Sequence, residues 1–141
     1  MHTLQDLLVD APVEDVFALL SDPVHRPTYQ YSLARVEMLT DGPPRVGTRW
    51  RDVLAFGLGT VELEITEFVP NLVWAERSLT GPMRGDIRVQ FLPVGDKTGL
   101  RFAAEGRIQG VLGRFDTLAG PMFASAVRAD LRNLERLLRT G

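Results

Sequence analysis

Three acidic side chains, Asp52, Glu67 and Glu76, fall in strand-like segments on the same side as Trp50, Trp74, Ile65, Val89 and Phe102. A carboxylate facing an apolar space is expensive unless it is paired or hydrated. Acids in such a place either hydrogen-bond the polar part of a ligand or act as acid and base with raised pKa values. Asp52, Glu76 and Tyr29 are the candidates for proton transfer. Trp50, Trp74, Glu67 and Phe102 are candidate ligand contacts from the strands, and Phe115 and Met122 from the C-terminal segment. The same residues admit plainer roles. A bulge could turn an acid outward, or a water, Tyr29, Tyr31 or His25 could pair with it. The tryptophans could be core packing, as could the apolar stripe that holds Phe115 and Met122.

Other chemistries find no support. The chain has no cysteine, hence no disulfide, thiolate site or cysteine nucleophile. Its two histidines are far apart and outside any HExxH pattern, so no metal site is expected. There is no GxxxxGK phosphate loop, and GLGTVE at 57–62 is a hairpin turn rather than a dinucleotide fingerprint, because no helix follows it. No nucleophile elbow is present. No cofactor is implied.

The positioning elements follow from periodicity. Residues 3–9 read as a strand. In DAPVEDVFALLSD, Pro12 suits a helix start, and Val13, Val16, Phe17 and Leu20 make one buried stripe. Asp22 caps a second short helix that holds Pro23 and Pro27. The period then changes to two, with strands at about 33–40, 47–56, 60–69, 72–80, 84–93 and 98–109, separated by DGPPRVG, GLG, PN, TGP and VGDKTG. Such short gaps favour antiparallel hairpins. A long helix from about 112 to 139 closes the chain, with a kink or restart expected at Pro121. The fold class is α+β: a seven-stranded curved antiparallel sheet gripping one long helix, with residues 1–141 as a single domain.

Hairpin lengths set the register. They pair Phe91 with Leu100, Ile87 with Glu76, Val89 with Trp74, Glu76 with Ile65, and Trp74 with Glu67. One cross-sheet row then reads Ala104, Ile87, Glu76, Ile65, Asp52, and the next Phe102, Val89, Trp74, Glu67, Trp50. Asp52 and Glu76 would stand about 10 Å apart, two strand spacings, with Ile65 between them. Arg49, Arg51, Arg77, Arg88, Arg101 and Arg107 fall on the opposite face, laced with Glu62, Glu64 and Glu105.

Composition sets the outer bounds. With 141 residues, 45% hydrophobic and 24% charged, the chain can bury a full core. A formal charge of −2 argues against nucleic acid as a partner. No apolar run approaches the roughly 18 residues of a membrane span, and the N-terminus lacks a secretory pattern. A cytoplasmic location is expected.

DAPVEDVFALLSD followed by PVHRPTY, VGTRWR opening a strand, ITEFVPNLVW across a hairpin and ADLRNLERLL near the C-terminus are the features of a known family. In their order and spacing the chain resembles the START/polyketide-cyclase (SRPBCC) superfamily, and within it the polyketide cyclase/dehydrase branch. The resemblance spans nearly the whole sequence. It implies a helix-grip fold with a deep cavity for hydrophobic small molecules. Members often carry Trp where this chain has Tyr29, which implies a different pocket floor. A fold-level likeness leaves function to be argued from the site.

Three functions fit. The first is a carrier or sensor for a hydrophobic lipid-, polyketide- or aromatic-like molecule. The second is a cyclase or dehydratase using cavity carboxylates as acid and base. The third is a protein-interaction module, or a homodimer, using an apolar edge at strand 33–40 with Val36, Met38 and Leu39.

Overall fold

The structure is a computed structural model that describes residues 1–109 and 116–140. Its strands are β1 (His2–Val9), β2 (Leu33–Met38), β3 (Arg49–Leu54), β4 (Thr60–Val69), β5 (Val73–Ser78), β6 (Met83–Val94) and β7 (Lys97–Ile108). They form one antiparallel sheet in the order β1-β7-β6-β5-β4-β3-β2, so β1 joins the far end of the chain to the near one. Between β1 and β2 lie helix α1 (Val13–Ser21) and a 3₁₀ turn over Pro23–Thr28. Helix α2 (Asp116–Thr140) covers the sheet.

Each helix forms for a local reason. Pro12 is extended and stands as the cap before α1, with Glu14 and Asp15 in the first turn, where the helix dipole favours acids. The Asp22 carboxylate accepts from the Val24 N–H at 3.2 Å and starts the 3₁₀ turn that Pro23 continues. Helix α2 runs through Pro121 as one element rather than restarting there. Beside that proline, Gly120 keeps α2 close to β1: a Cβ on it would meet Thr3 Cγ2 at 3.3 Å. The onset expected near 112 lies outside the described residues.

Gly85 and Gly106 are cross-strand partners in the β6–β7 ladder. A Cβ on Gly85 would sit 2.2 Å from the Glu105 carbonyl oxygen, and one on Gly106 2.6 Å from that of Arg84. Only glycine permits this close approach of the two backbones.

The core is solid at one end. Phe17 of α1 meets Phe91 and Phe68 edge-on, with ring centroids 5.0 and 5.4 Å away. Val16, Leu20, Leu100, Leu131 and Leu134 pack around them, all buried. The Thr98 hydroxyl donates to the Ala11 carbonyl at 2.7 Å and ties the start of α1 to β7.

Register agrees with the hairpin reading across β5, β6 and β7: Glu76 faces Ile87, Trp74 faces Val89, Ile87 faces Ala104 and Phe91 faces Leu100. Two departures matter for the site. First, β3 stops at Leu54 and a 3₁₀ turn carries Phe56, with φ of 60°, out to solvent. The longer loop slides β3 by four residues, so Asp52 pairs with Val61 and Trp50 with Leu63. Ile65 therefore does not stand between Asp52 and Glu76 in one row; its N–H bonds to the Thr48 carbonyl instead. Second, a bulge between Ile65 and Glu67 lets Glu67 pair with Ala75, and Trp74 faces Phe68. Strand β2 is the edge at the far side, and its Val36 and Met38 pack against the core while Leu39 is half exposed.

Candidate functional site

Asp52 and Glu76 both point under the sheet and are 5% and 4% exposed. What joins them is Arg26. Its Nη1 donates to Glu76 Oε2 and its Nη2 to Asp52 Oδ2, each at 3.1 Å. The guanidinium is itself buried and lies 5.5 Å from the centroid of the Trp50 ring. The Trp50 indole N–H donates to the other Asp52 oxygen at 3.0 Å. One cation thus bridges two carboxylates that strand pairing alone would not have brought together.

The electrostatics follow from that count. Burial pulls the Arg26 pKa down, but Glu76, Asp52 and Tyr29 raise it further, so the guanidinium stays charged. Burial raises the pKa of Asp52 and of Glu76; Arg26 opposes this without cancelling it, because one cation serves two acids.

Arg26 comes from the 3₁₀ turn, a segment in which neither helical nor strand periodicity points to the buried side. Asp22 at the start of the turn and Pro27 within it fix its path. The Asn133 side chain of α2 donates to the Tyr29 carbonyl at 3.0 Å just after it. Sequence reasoning looked for the partner of the acids in Tyr29, Tyr31, His25 or water and missed Arg26. The available signal was that the strand arginines face outward while one further arginine sits in the PVHRPTY turn.

Two hollows meet at this triad, sharing Arg26, Asp52, Glu76, Ile87 and Phe123 as walls. The smaller, ≈ 210 Å³, extends past Ser78 and Met83 to Met1 and the Gly85–Gly106 pair. The larger, ≈ 280 Å³, lies between the sheet and α2 and is lined by Tyr29, Trp74, Val89, Phe102, Val127 and Asp130, among others. Asp130, on α2, makes no side-chain hydrogen bond or ion pair among the described residues. Burial pushes its pKa up to about 6, against a smaller lowering by Arg26. The Tyr29 hydroxyl is likewise without a hydrogen bond among the described residues, and burial raises its pKa. The Trp74 indole N–H is buried without a hydrogen-bond partner, and its ring lies tilted against Trp50, with centroids 6.3 Å apart.

The remaining candidates are placed differently. Trp50 is fully buried and lines neither hollow; it holds the triad. Glu67 is turned to the outer face by the bulge and pairs with Arg88, Oε1 to Nε 2.9 Å, with both side chains 44% exposed. Met122 is 71% exposed on α2, whereas its neighbour on the same apolar stripe, Phe123, lines both hollows. Phe115 lies outside the described residues. Asp130, Phe123 and Arg26 are the site residues that the sequence reading did not single out. Among the described residues, no cluster of His, Cys, Asp and Glu could hold a metal ion, and no helix is long and apolar enough to cross a membrane.

Comparison with known proteins places this geometry. A protein from Thermus thermophilus superposes with a TM-score of 0.80 at 21% identity, covering 99% of this chain and 98% of that one. The Zhui aromatase/cyclase from Streptomyces sp. R1128 gives 0.75 at 19% identity, covering 99% and 93%. The di-domain aromatase/cyclase BexL gives 0.76 at 17% identity over 96% of this chain and 45% of that chain. These likenesses establish the fold. No curated protein matches in sequence. The model of one family, described as polyketide cyclase / dehydrase and lipid transport, matches residues 5–139, the stretch that carries β1, the Arg26 turn, the sheet and α2, and the chain belongs to that family.

Proposed function

We propose that the chain binds a hydrophobic small molecule in the ≈ 280 Å³ hollow between the sheet and α2, as a carrier or sensor. The observation that carries this reading is the state of the two buried acids. Asp52 and Glu76 are both held by Arg26, which leaves them as a fixed polar wall rather than a mobile acid–base pair. The other walls are mostly apolar and aromatic, the usual make-up of a small-ligand site. Native mass spectrometry of the purified protein tests the reading. Retention of a hydrophobic molecule, displaced by an apolar dye that binds saturably, is the expected result. Absence of both a retained molecule and saturable dye binding would overturn it.

A second reading, a cyclase- or dehydratase-type enzyme, draws support from Asp130. A carboxyl with pKa about 6 in an apolar hollow, with the Tyr29 hydroxyl lining the same space, is suited to moving a proton near neutral pH. Turnover of a polyketide-like substrate that Asp130→Asn abolishes while binding persists would favour this reading over the first.

A further inference from the structure

The walls of the larger hollow are unbalanced in charge. Among its described lining residues, Asp52, Glu76 and Asp130 are acids and Arg26 is the one cation, already engaged by the first two. Only the buried Arg26 Nε–H is left without a hydrogen-bond partner, so a ligand carboxylate or phosphate would meet three acids against a cation whose two Nη groups are taken. Asp130 has the opposite need: ionised and unpartnered beside apolar surface, it bears a desolvation cost that a cation would offset. The Tyr29 hydroxyl supplies a second, separate indication. Tyr29 is 4% exposed and lines this hollow, and its hydroxyl has no partner among the described residues. Its oxygen can accept a hydrogen bond from a charged nitrogen. The rings of Trp74, Phe102 and Phe123 line the same space, and the faces of such rings attract cations.

We propose that the larger hollow takes a hydrophobic amine, with its protonated nitrogen at the Asp130 carboxylate and the Tyr29 hydroxyl and its apolar body against Trp74, Phe102 and Phe123. This rests on the reading of the hollow as a ligand site and names the ligand class.

The test is a charge series on one scaffold: naphthylmethylamine, naphthalenemethanol and naphthoic acid, titrated calorimetrically into the full-length protein at neutral pH. The amine should bind about tenfold or more tightly than the alcohol, the size of effect that one modest ionic contact gives, and the acid should bind most weakly. In Asp130→Asn the amine-to-alcohol ratio should shrink by about tenfold. Equal affinities, an acid that binds best, or a ratio that survives Asp130→Asn would overturn the amine assignment while leaving hydrophobic binding in place. Failure of all three probes to bind would overturn both. The wild-type series decides between these outcomes even if the variant does not fold.

Discussion

The two halves of the space between sheet and helices solve the problem of burial in opposite ways. Under α1, Phe17 meets Phe68 and Phe91 edge-on, and the cohesion is dispersion and apolar burial. Around Arg26 the same sheet and α2 enclose hollows, and the fixed structure there is a triad of charges. A filled core specifies shape by contact. A hollow cannot, so its wall is held by hydrogen bonds: Arg26 to both acids, Trp50 to Asp52, and Asn133 to the chain after the turn. The difference sets a half held by apolar packing against a half held by buried hydrogen bonds and charge.

The strongest test of that contrast pairs one residue from each half. Phe17→Ala should cost about 3–5 kcal/mol through the cavity it leaves. Arg26→Ala should cost a similar 3–5 kcal/mol or so, because it leaves two buried carboxylates without their cation. Chemical denaturation across pH separates the causes. The pKa values of Asp52 and Glu76 already lie above the ordinary range, and without Arg26 they rise further. The Arg26→Ala variant should therefore regain stability as pH falls and those acids protonate. The Phe17→Ala deficit should stay constant over the same range. A pH-independent loss in Arg26→Ala would mean that the guanidinium acts by packing alone.

Glu76→Gln should have a smaller effect, about 1 kcal/mol or less at neutral pH. The amide keeps the volume and an acceptor for Arg26, and it removes one of two like charges that share a single cation. Arg26 retains Asp52. A loss of about 3 kcal/mol or more would show instead that both carboxylates are needed as anions to hold the turn.

What the sequence could reveal followed the same division. The solid half and the central hairpins were legible because they obey periodicity: Val13, Val16, Phe17 and Leu20 make a helical stripe, and alternation along β5, β6 and β7 sets the pairing of Glu76 with Ile87 and of Trp74 with Val89. The pairing of Ile65 with Glu76 came out right through two compensating departures. The turn after β4 is one residue longer than the two-residue turn read from PN, and the bulge before Glu67 absorbs the extra residue. Inside that stretch every side chain flips, which is why Glu67 faces out. The β3 register failed because alternation continues through Phe56, whereas the chain leaves the sheet at Leu54. Arg26 was illegible for a deeper reason. Its burial depends on two carboxylates brought from β3 and β5, a long-range fact that a turn's local sequence does not encode.

A subtler effect belongs to Asp130. Its folded-state pKa of about 6 lies above the ordinary 3.8, so protonation favours the folded state. The contribution is fully present below about 3.8 and is lost as pH rises through about 6. The charged or titratable groups around it are Arg26, Tyr29, Asp52 and Glu76. Asp130→Asn should flatten the decline in stability between those two pH values, measured by thermal melts in matched buffers. A variant whose slope equals that of the wild type would place the titration elsewhere in the hollow.

The smallest effect is expected at Glu67, and it bears on the contrast most directly. The alternation that puts Trp74 and Glu76 under the sheet would put Glu67 there as well, as a third carboxylate facing apolar walls. The bulge instead turns it outward, where Arg88 meets it at 2.9 Å with both side chains about as exposed as not. Exposed pairs of this kind contribute about 0–1 kcal/mol. Glu67→Gln should therefore change stability by less than about 0.5 kcal/mol and leave the binding of the naphthalene probes unaltered. The same substitution at Glu76 removes a negative charge from the wall of the hollow, so the two variants, equal in chemistry and nine positions apart, should part clearly in a binding titration. If Glu67→Gln weakened the amine probe as much as Glu76→Gln does, the carboxylate would have to lie inside. The bulge would then not be where the ladder places it, and the outer pair with Arg88 would fall with it.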